Sequence, residues 1–176
     1  TAATSISGEE GISIVTSSLG YSINKDTRDN FLNPKTGSKF TSSVNLAGLG
    51  GDAKFYKLES RYKKYIPYSY GDYVLSFSGQ AGIINSIEDE KVTSSNRFYF
   101  NSKSIRGFDS NGVGPRDAGN SVGVGGNKYY SGSVEIRTKK FLPFEDDTGV
   151  EWSVFSDIGS LWDTDYPLNV TGHDES

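Results

Sequence analysis

The segment Tyr56-Lys57-Leu58-Glu59-Ser60-Arg61-Tyr62-Lys63-Lys64-Tyr65-Ile66 decides the fold. Tyr56, Leu58, Tyr62 and Ile66 fall on one parity, and Lys57, Glu59, Arg61 and Lys63 on the other. Successive side chains of a strand point to opposite faces, so this is a strand with one apolar and one charged face. A face that charged must meet water. The same alternation recurs on both sides of this segment. Upstream, residues 39–47 set Phe40, Val44 and Leu46 against Thr41, Ser43 and Asn45, and residues 12–24 set Val15, Leu19, Tyr21 and Ile23 against Thr16, Ser18, Ser22 and Asn24. Downstream it returns over residues 73–83, 128–142 and 150–161. The count is about six strands, antiparallel if hairpins join them, and no helix-period segment of useful length interrupts them. The chain reads as all-β.

Turn chemistry separates these segments. Asp26-Thr27-Arg28-Asp29-Asn30 leads into Pro34-Lys35-Thr36-Gly37, a polar hairpin marked by Pro and Gly, and residues 48–52 turn the chain again. Phe144 to Gly149, with Glu145-Asp146-Asp147, reads as a solvated turn. Tyr65, Tyr68, Tyr70 and Tyr73 crowd one turn, as in the aromatic girdle of a membrane barrel or in an aromatic-rich soluble hairpin. Periodicity alone leaves two architectures open. In a soluble sandwich the apolar face is the core, whereas in a transmembrane barrel it meets lipid and the polar face lines a wet lumen.

Composition narrows the function classes. The 176 residues suit one domain, and 18 Lys plus Arg against 22 Asp plus Glu give a net charge of −4 with no basic block, which disfavours nucleic-acid binding. No apolar run approaches the roughly 18 residues of a membrane helix, although a barrel needs none. Cysteine is absent, and with it disulfides, thiolate metal sites and cysteine nucleophiles. The lack of methionine and the start at Thr1 without a leader read as a trimmed or partial chain. His173 is the single histidine and lies in the polar tail, so imidazole acid–base catalysis is not expected. Glu88-Asp89-Glu90, Asp163 and Asp165 lack the spacing of a calcium loop, and the Gly-rich runs lack the Lys-Ser or Lys-Thr ending of a phosphate loop. No enzyme activity, metal or cofactor is expected.

The connection from Ile84 to Lys128 is roughly three times as long as an ordinary long loop, a length that signals function or disorder. Phe98, Tyr99, Phe100, Ile105 and Phe108 argue for packing. Within it lie Arg97-Phe98-Tyr99-Phe100, Ser104-Ile105-Arg106-Gly107-Phe108, Gly112-Val113-Gly114-Pro115-Arg116-Asp117 and Val124-Gly125-Gly126-Asn127. This ordered set resembles the inward-folded loop of the BamA-type outer-membrane assembly factors, which carries an Arg-Gly-Phe tip. The hairpin from Asp26 to Gly37 and the segment Phe155-Ser156-Asp157-Ile158-Gly159 with Trp162-Asp163 resemble family signatures in the same order. Asn101-Ser102 stands where members commonly carry a Gly pair.

The resemblance implies part of a sixteen-stranded antiparallel transmembrane β-barrel, residues 1–176 holding about six strands and the loop, with POTRA domains and the first and last barrel strands lying outside it. It implies insertion and folding of β-barrel proteins in a bacterial outer membrane, without nucleotide hydrolysis. The implied partners are unfolded outer-membrane proteins, outer-membrane lipid, assembly-complex lipoproteins and periplasmic chaperones. It pairs Arg106 at the tip, followed by Gly107 and Phe108, with Glu135 and Asp157, both on the polar parity of their strands, and sets Phe108 and Phe155 around the pair. A guanidinium forks onto carboxylates as lysine does not. Rival functions are a two-partner secretion transporter, a TamA-like module, a passive porin or a soluble ligand-binding β-sandwich.

Overall fold

The computed structural model describes residues 14–88, 91–102, 104–117, 121–140 and 150–165. Six strands form one sheet in chain order: β1 (Ser18–Asp26), β2 (Gly37–Ala47), β3 (Phe55–Tyr68), β4 (Tyr73–Ser86), β5 (Lys128–Thr138) and β6 (Trp152–Trp162). Every neighbouring pair is antiparallel. The sheet is open, with β1 and β6 at its two edges.

Most strand limits follow the period-two pattern to within two residues, and three differ. β4 runs on to Ser86, paired with Phe55, rather than ending at Ile83, so the long connection begins at residue 87. β1 starts at Ser18 rather than near Ile12, because Val15 is held by the following turn: its N–H donates to the Asp52 carboxylate (2.9 Å) and its carbonyl accepts from Asp52 N (2.7 Å). β5 stops at Thr138 rather than Leu142. There the Thr138 hydroxyl takes the backbone N–H of Lys140 at 2.9 Å and itself donates to Asp72 O, turning the chain out of the ladder. The acidic run 145–147 and His173 lie outside the described residues.

Exposure chooses between the two architectures. Leu19, Tyr21, Val44, Leu58, Tyr62, Phe77, Val134, Val154 and Ile158 all lie on one face of the sheet, and that face is uncovered, with Val154 at 73% and Ile158 at 65% exposure. Burying one such side chain is worth about 1.5–3 kcal/mol, so a sheet in water would not leave this many out. The buried residues sit on the opposite, polar face. Phe55, Ile84, Tyr129 and Leu161 pack there with Phe98, Phe100 and Ile105 of the long connection. A sheet whose apolar side is bare and whose polar side is covered by its own loop is a barrel wall with lipid outside and a lumen inside.

Aromatic rims bound the outer face. Tyr68, Tyr73 and Trp152 mark the end joined by the tight turn at Ser69–Gly71, while Tyr56, Tyr130 and Trp162 mark the end that carries the long connection. Tyr130 and Trp162 meet edge to face at 5.7 Å. Tyr56 and Tyr68 are about 40 Å apart along β3, or about 30 Å along the membrane normal at the tilt usual for barrel strands, enough to bracket the apolar band. Tyr65 does not belong to this girdle. It has the parity of the charged residues, is buried on the inner face, and has Lys63 Nζ 5.4 Å from its ring centroid.

Candidate functional site

The connection between β4 and β5 (residues 87–127) returns over the inner face and is fastened at its base. Phe98 and Gly126 exchange both backbone hydrogen bonds (2.9 and 3.0 Å), and Asn127 N donates to Asp163 O at 2.7 Å. Arg97, buried at the same level, donates to the carbonyls of Val92 (3.1 Å) and Val124 (2.8 Å) and to the Thr164 hydroxyl (3.3 Å). Charge-assisted bonds to carbonyls suit a guanidinium that has lost its water.

Aromatic packing carries the loop inward from that base. Phe98 and Phe100 meet Tyr129 of β5 edge to face, at 4.7 and 5.7 Å. Lys57 caps the Phe98 ring at 4.3 Å while donating to Asn96 O at 3.1 Å. The sheet makes room for this layer at Gly82, where a Cβ would stand 2.4 Å from Tyr129 Cε1 and 2.9 Å from Phe98 Cζ. Farther in, Ile105 is buried against Gly159 of β6, whose absent Cβ would lie 2.7 Å from Ile105 Cδ1.

Arg106 follows Ile105 and meets a tile of four side chains on two adjacent strands. Register places Ser133 opposite Asp157 and Glu135 opposite Phe155, all four on the inner parity. Asp157 accepts from Arg106 N (3.0 Å), Nε (2.8 Å) and Nη2 (2.7 Å). Nη1 donates to Glu135 Oε2, and Nη2 also donates to Ser133 Oγ at 2.7 Å. The guanidinium lies flat over Phe155, its Cζ 3.4 Å from the ring centroid. Asp157, then Glu135, hold its proton more tightly than in a free arginine, against some loss of hydration.

The two carboxylates are not equivalent. The Asp157 side chain is 7% exposed and that of Glu135 23%, against 33% for Arg106. Asp157 therefore depends on the arginine and on the Ser133 hydroxyl opposite it in place of water, and Glu135 retains some water. Lysine in place of Arg106 would supply one point charge where the site presents a fork and a stacking face.

The structure thus brings Arg106, Glu135, Asp157 and Phe155 together. It does not bring Phe108 to them. Gly107 has φ +88°, a left-handed conformation that turns the chain away, and Phe108 stands 54% exposed beside Asn111, Arg116 and Gly123. The acidic residues near the loop base have structural partners: Lys128 Nζ lies 2.8 Å from Asp163, Asp165 accepts from Val92 N at 2.8 Å, and Glu88 pairs with Lys54. Sequence reasoning missed Ser133 and the two glycines that admit the loop. Parity places Ser133 inward, but a glycine in a strand does not say what approaches it.

Comparison with known proteins agrees with this geometry. The family model of the Omp85 superfamily domain matches residues 3–175. The chain belongs to the Omp85 superfamily. It is 31% identical over 161 residues to the outer membrane protein assembly factor BamA of Neorickettsia risticii, covering 92% of this chain and 21% of that protein. It is also 31% identical over 172 residues to the sorting and assembly machinery component 50 homolog of Mus musculus, covering 97% of this chain and 34% of the relative. A crystal structure of BamA from Haemophilus ducreyi lacking POTRA domains 1–3 superposes with a TM-score of 0.72 at 25% identity, over 83% of this chain and 30% of that one. The chain spans between a fifth and about a third of these relatives. An Omp85 barrel wall accounts for the bare apolar face, the covered polar face and the open edges.

Proposed function

We propose that this Omp85 segment is part of the barrel of an outer-membrane protein assembly factor, one that inserts and folds other β-barrel proteins, and that Arg106 braces the inward loop against the wall. The observation that carries the reading is the Arg106 tile: three hydrogen bonds to Asp157, one each to Glu135 and Ser133, and a stacked ring. A loop so fixed inside a lumen holds the barrel in one shape while its edges pair elsewhere. The substrates are unfolded outer-membrane proteins, the surrounding solvent is outer-membrane lipid, and complex lipoproteins and periplasmic chaperones act beside it. POTRA domains and further barrel strands belong to the parent protein. The reaction is strand pairing and membrane transfer, with no chemical turnover.

The BamA relative supports placing the protein in a bacterial outer membrane, and the mouse relative makes the mitochondrial outer membrane the second reading. No described feature favours a two-partner secretion transporter, a TamA-like module or a porin. The test uses cells whose only assembly factor is the full-length parent, with heat-modifiable porin as readout. Assembly by the wild type and its loss in Arg106→Ala, with the variant still in the membrane, is the expected result. Failure of the wild type to assemble porin while another cargo is exported overturns the proposal in favour of secretion.

A further inference from the structure

The outer, lipid-facing side of the sheet carries few charges, and they are all of one sign. Among the strand residues of outward parity there is no carboxylate, and the charged ones are Lys25 on β1, Lys64 on β3 and Lys128 on β5. Lys128 stands at the end that carries the long connection, where Asp163 pairs with it at 2.8 Å. Lys25 and Lys64 stand at the other end, the short-turn rim, where residues 27–36 join β1 to β2. Neither forms an ion pair among the described residues.

Register brings these two lysines to one patch. Lys25 faces Phe40 across the first ladder, and Lys64 faces Ser38 across the second. They are thus two strands and two residues apart, about 12 Å between Cα atoms at ordinary strand spacing and rise, so that extended side chains can meet over one headgroup. Ser38 stands beside them on the rim. Its backbone N and O both hold Thr27 Oγ1 at 3.1 Å, and its own Oγ lies 3.2 Å from that hydroxyl. Gly37 fixes the hairpin here: at φ +96° it packs so closely that a Cβ would stand 2.2 Å from Thr27 O.

The wall itself does not neutralise the amines. Lys64 lies on an inner strand of the sheet, and its neighbours across both ladders are Ser38 and Phe77. Asp26, next to Lys25 in sequence, has the inward parity and is forked onto Arg28 at 2.9 and 2.6 Å. Asp72, at the turn between β3 and β4, pairs with Lys140 at 3.2 Å. A lysine so placed on a lipid face lays its stem along apolar surface and carries its amine to the interface, where the counter-charge is a lipid phosphate.

We propose that Lys25, Lys64 and the Ser38 hydroxyl form a site for the phosphodiester headgroup of an anionic phospholipid, in the leaflet at the short-turn end. Its acyl chains run over Phe40 and Tyr62, which face each other one outward row farther into the membrane. The phosphate accepts from two ammonium groups and a hydroxyl. A zwitterionic headgroup brings its own cation up to both lysines, so the site selects net negative charge. This goes beyond the assembly reading and requires only that the wall stands in a bilayer.

The test uses the full-length parent in phosphatidylcholine nanodiscs doped with phosphatidylglycerol or phosphatidylcholine that bears a photoreactive group on the acyl chain next to the glycerol. Crosslinks are located by peptide mass spectrometry. A lysine beside anionic lipid is worth about fivefold in affinity, so phosphatidylglycerol should label the outer face of β1–β3 at least about fivefold more than phosphatidylcholine. Either single variant, Lys25→Gln or Lys64→Gln, should show a reduced preference, and the double variant should bring the two probes level. Lys64→Arg should keep the preference, and so should Lys128→Gln at the opposite rim. Equal labelling by the two probes in the wild type overturns the proposal, as does a preference that survives the double substitution. A loss in Lys128→Gln equal to that in Lys64→Gln also overturns it, since the selectivity would then belong to the surface charge as a whole.

Discussion

Replacing Asp157 should release the loop tip far more than replacing Glu135, although both contact the same guanidinium. Asp157 is nearly buried and accepts three of the bonds from Arg106, whereas Glu135 is partly solvated and accepts one. Breaking a largely desolvated pair from one side costs at the lower end of about 3–5 kcal/mol, so Asp157→Asn should cost about 3 kcal/mol of loop docking. Glu135→Gln keeps a polar acceptor where water already reaches, and should cost about 1 kcal/mol. Since 1.4 kcal/mol is a factor of ten, the undocked population should rise about a hundredfold in the first variant and about fivefold in the second. Proteolytic nicking of residues 87–127 in the folded, full-length parent reads that population when reclosing outruns cleavage. A double-mutant cycle of Arg106→Ala with Asp157→Asn should show coupling of about 2 kcal/mol, because once the arginine is gone the aspartate's charge is a liability. Equal nicking rates for Asp157→Asn and Glu135→Gln, or additive effects in the cycle, would refute the reasoning.

Three further outcomes follow from the geometry. Gly82→Val should block the aromatic layer, since its first added carbon already meets Tyr129 and Phe98; loss of about 1–3 kcal/mol of docking, seen as faster nicking than in Gly79→Val on the lipid face, is expected. Ile158→Arg should lower the yield of folded barrel by a cost of about 2–4 kcal/mol near mid-membrane, whereas Gln80→Arg, lining the lumen, should fold normally; heat-modifiable migration distinguishes them. Asp29 is held below its ordinary pKa by the backbone N–H of Thr36 and then of Lys35, so its contribution to loop order is full above the unfolded value of about 3.9 and is lost as pH falls through the lower folded value; backbone-amide NMR of Lys35 and Thr36 should be constant from neutral pH to about 5 and change only in stronger acid, and in Asp29→Asn that acid transition should vanish.

The strands were legible because a period of two survives any environment. Phe40, Val44 and Leu46, or Val134 and Ile136, point outward whether lipid or a second sheet waits there, and their alternation places β2 to β6 nearly to the residue at most ends. Where a side chain captured the backbone, alternation misled: Asp52 withdrew Val15 from β1, and the Thr138 hydroxyl ended β5. The tip was legible through a short motif plus parity, since Glu135 and Asp157 could reach a loop only from the polar side. Phe108 was not, because the sign of φ at Gly107 is not written in the sequence.

The same alternation explains why the long loop could be read as packed while its seat could not be found. Phe98, Phe100 and Ile105 require burial, yet the strands offer them a face composed mainly of Ser, Gln, Glu and Lys. The conflict resolves locally: at the loop end of the inner face the polar pattern gives way to Phe55, Ile84, Tyr129 and Leu161, with Gly82 and Gly159 leaving the space. A core thus forms on the wet side of a membrane wall, confined to the part of the lumen that the loop fills. Beyond it, toward the short-turn rim, the inner face becomes charged again, and there the loop makes ionic contacts rather than apolar ones. Arg106 stands at that boundary. Its backbone follows the last core residue, Ile105, and its side chain is the first to meet the charged wall, which is why one arginine joins the loop's packing to its electrostatics.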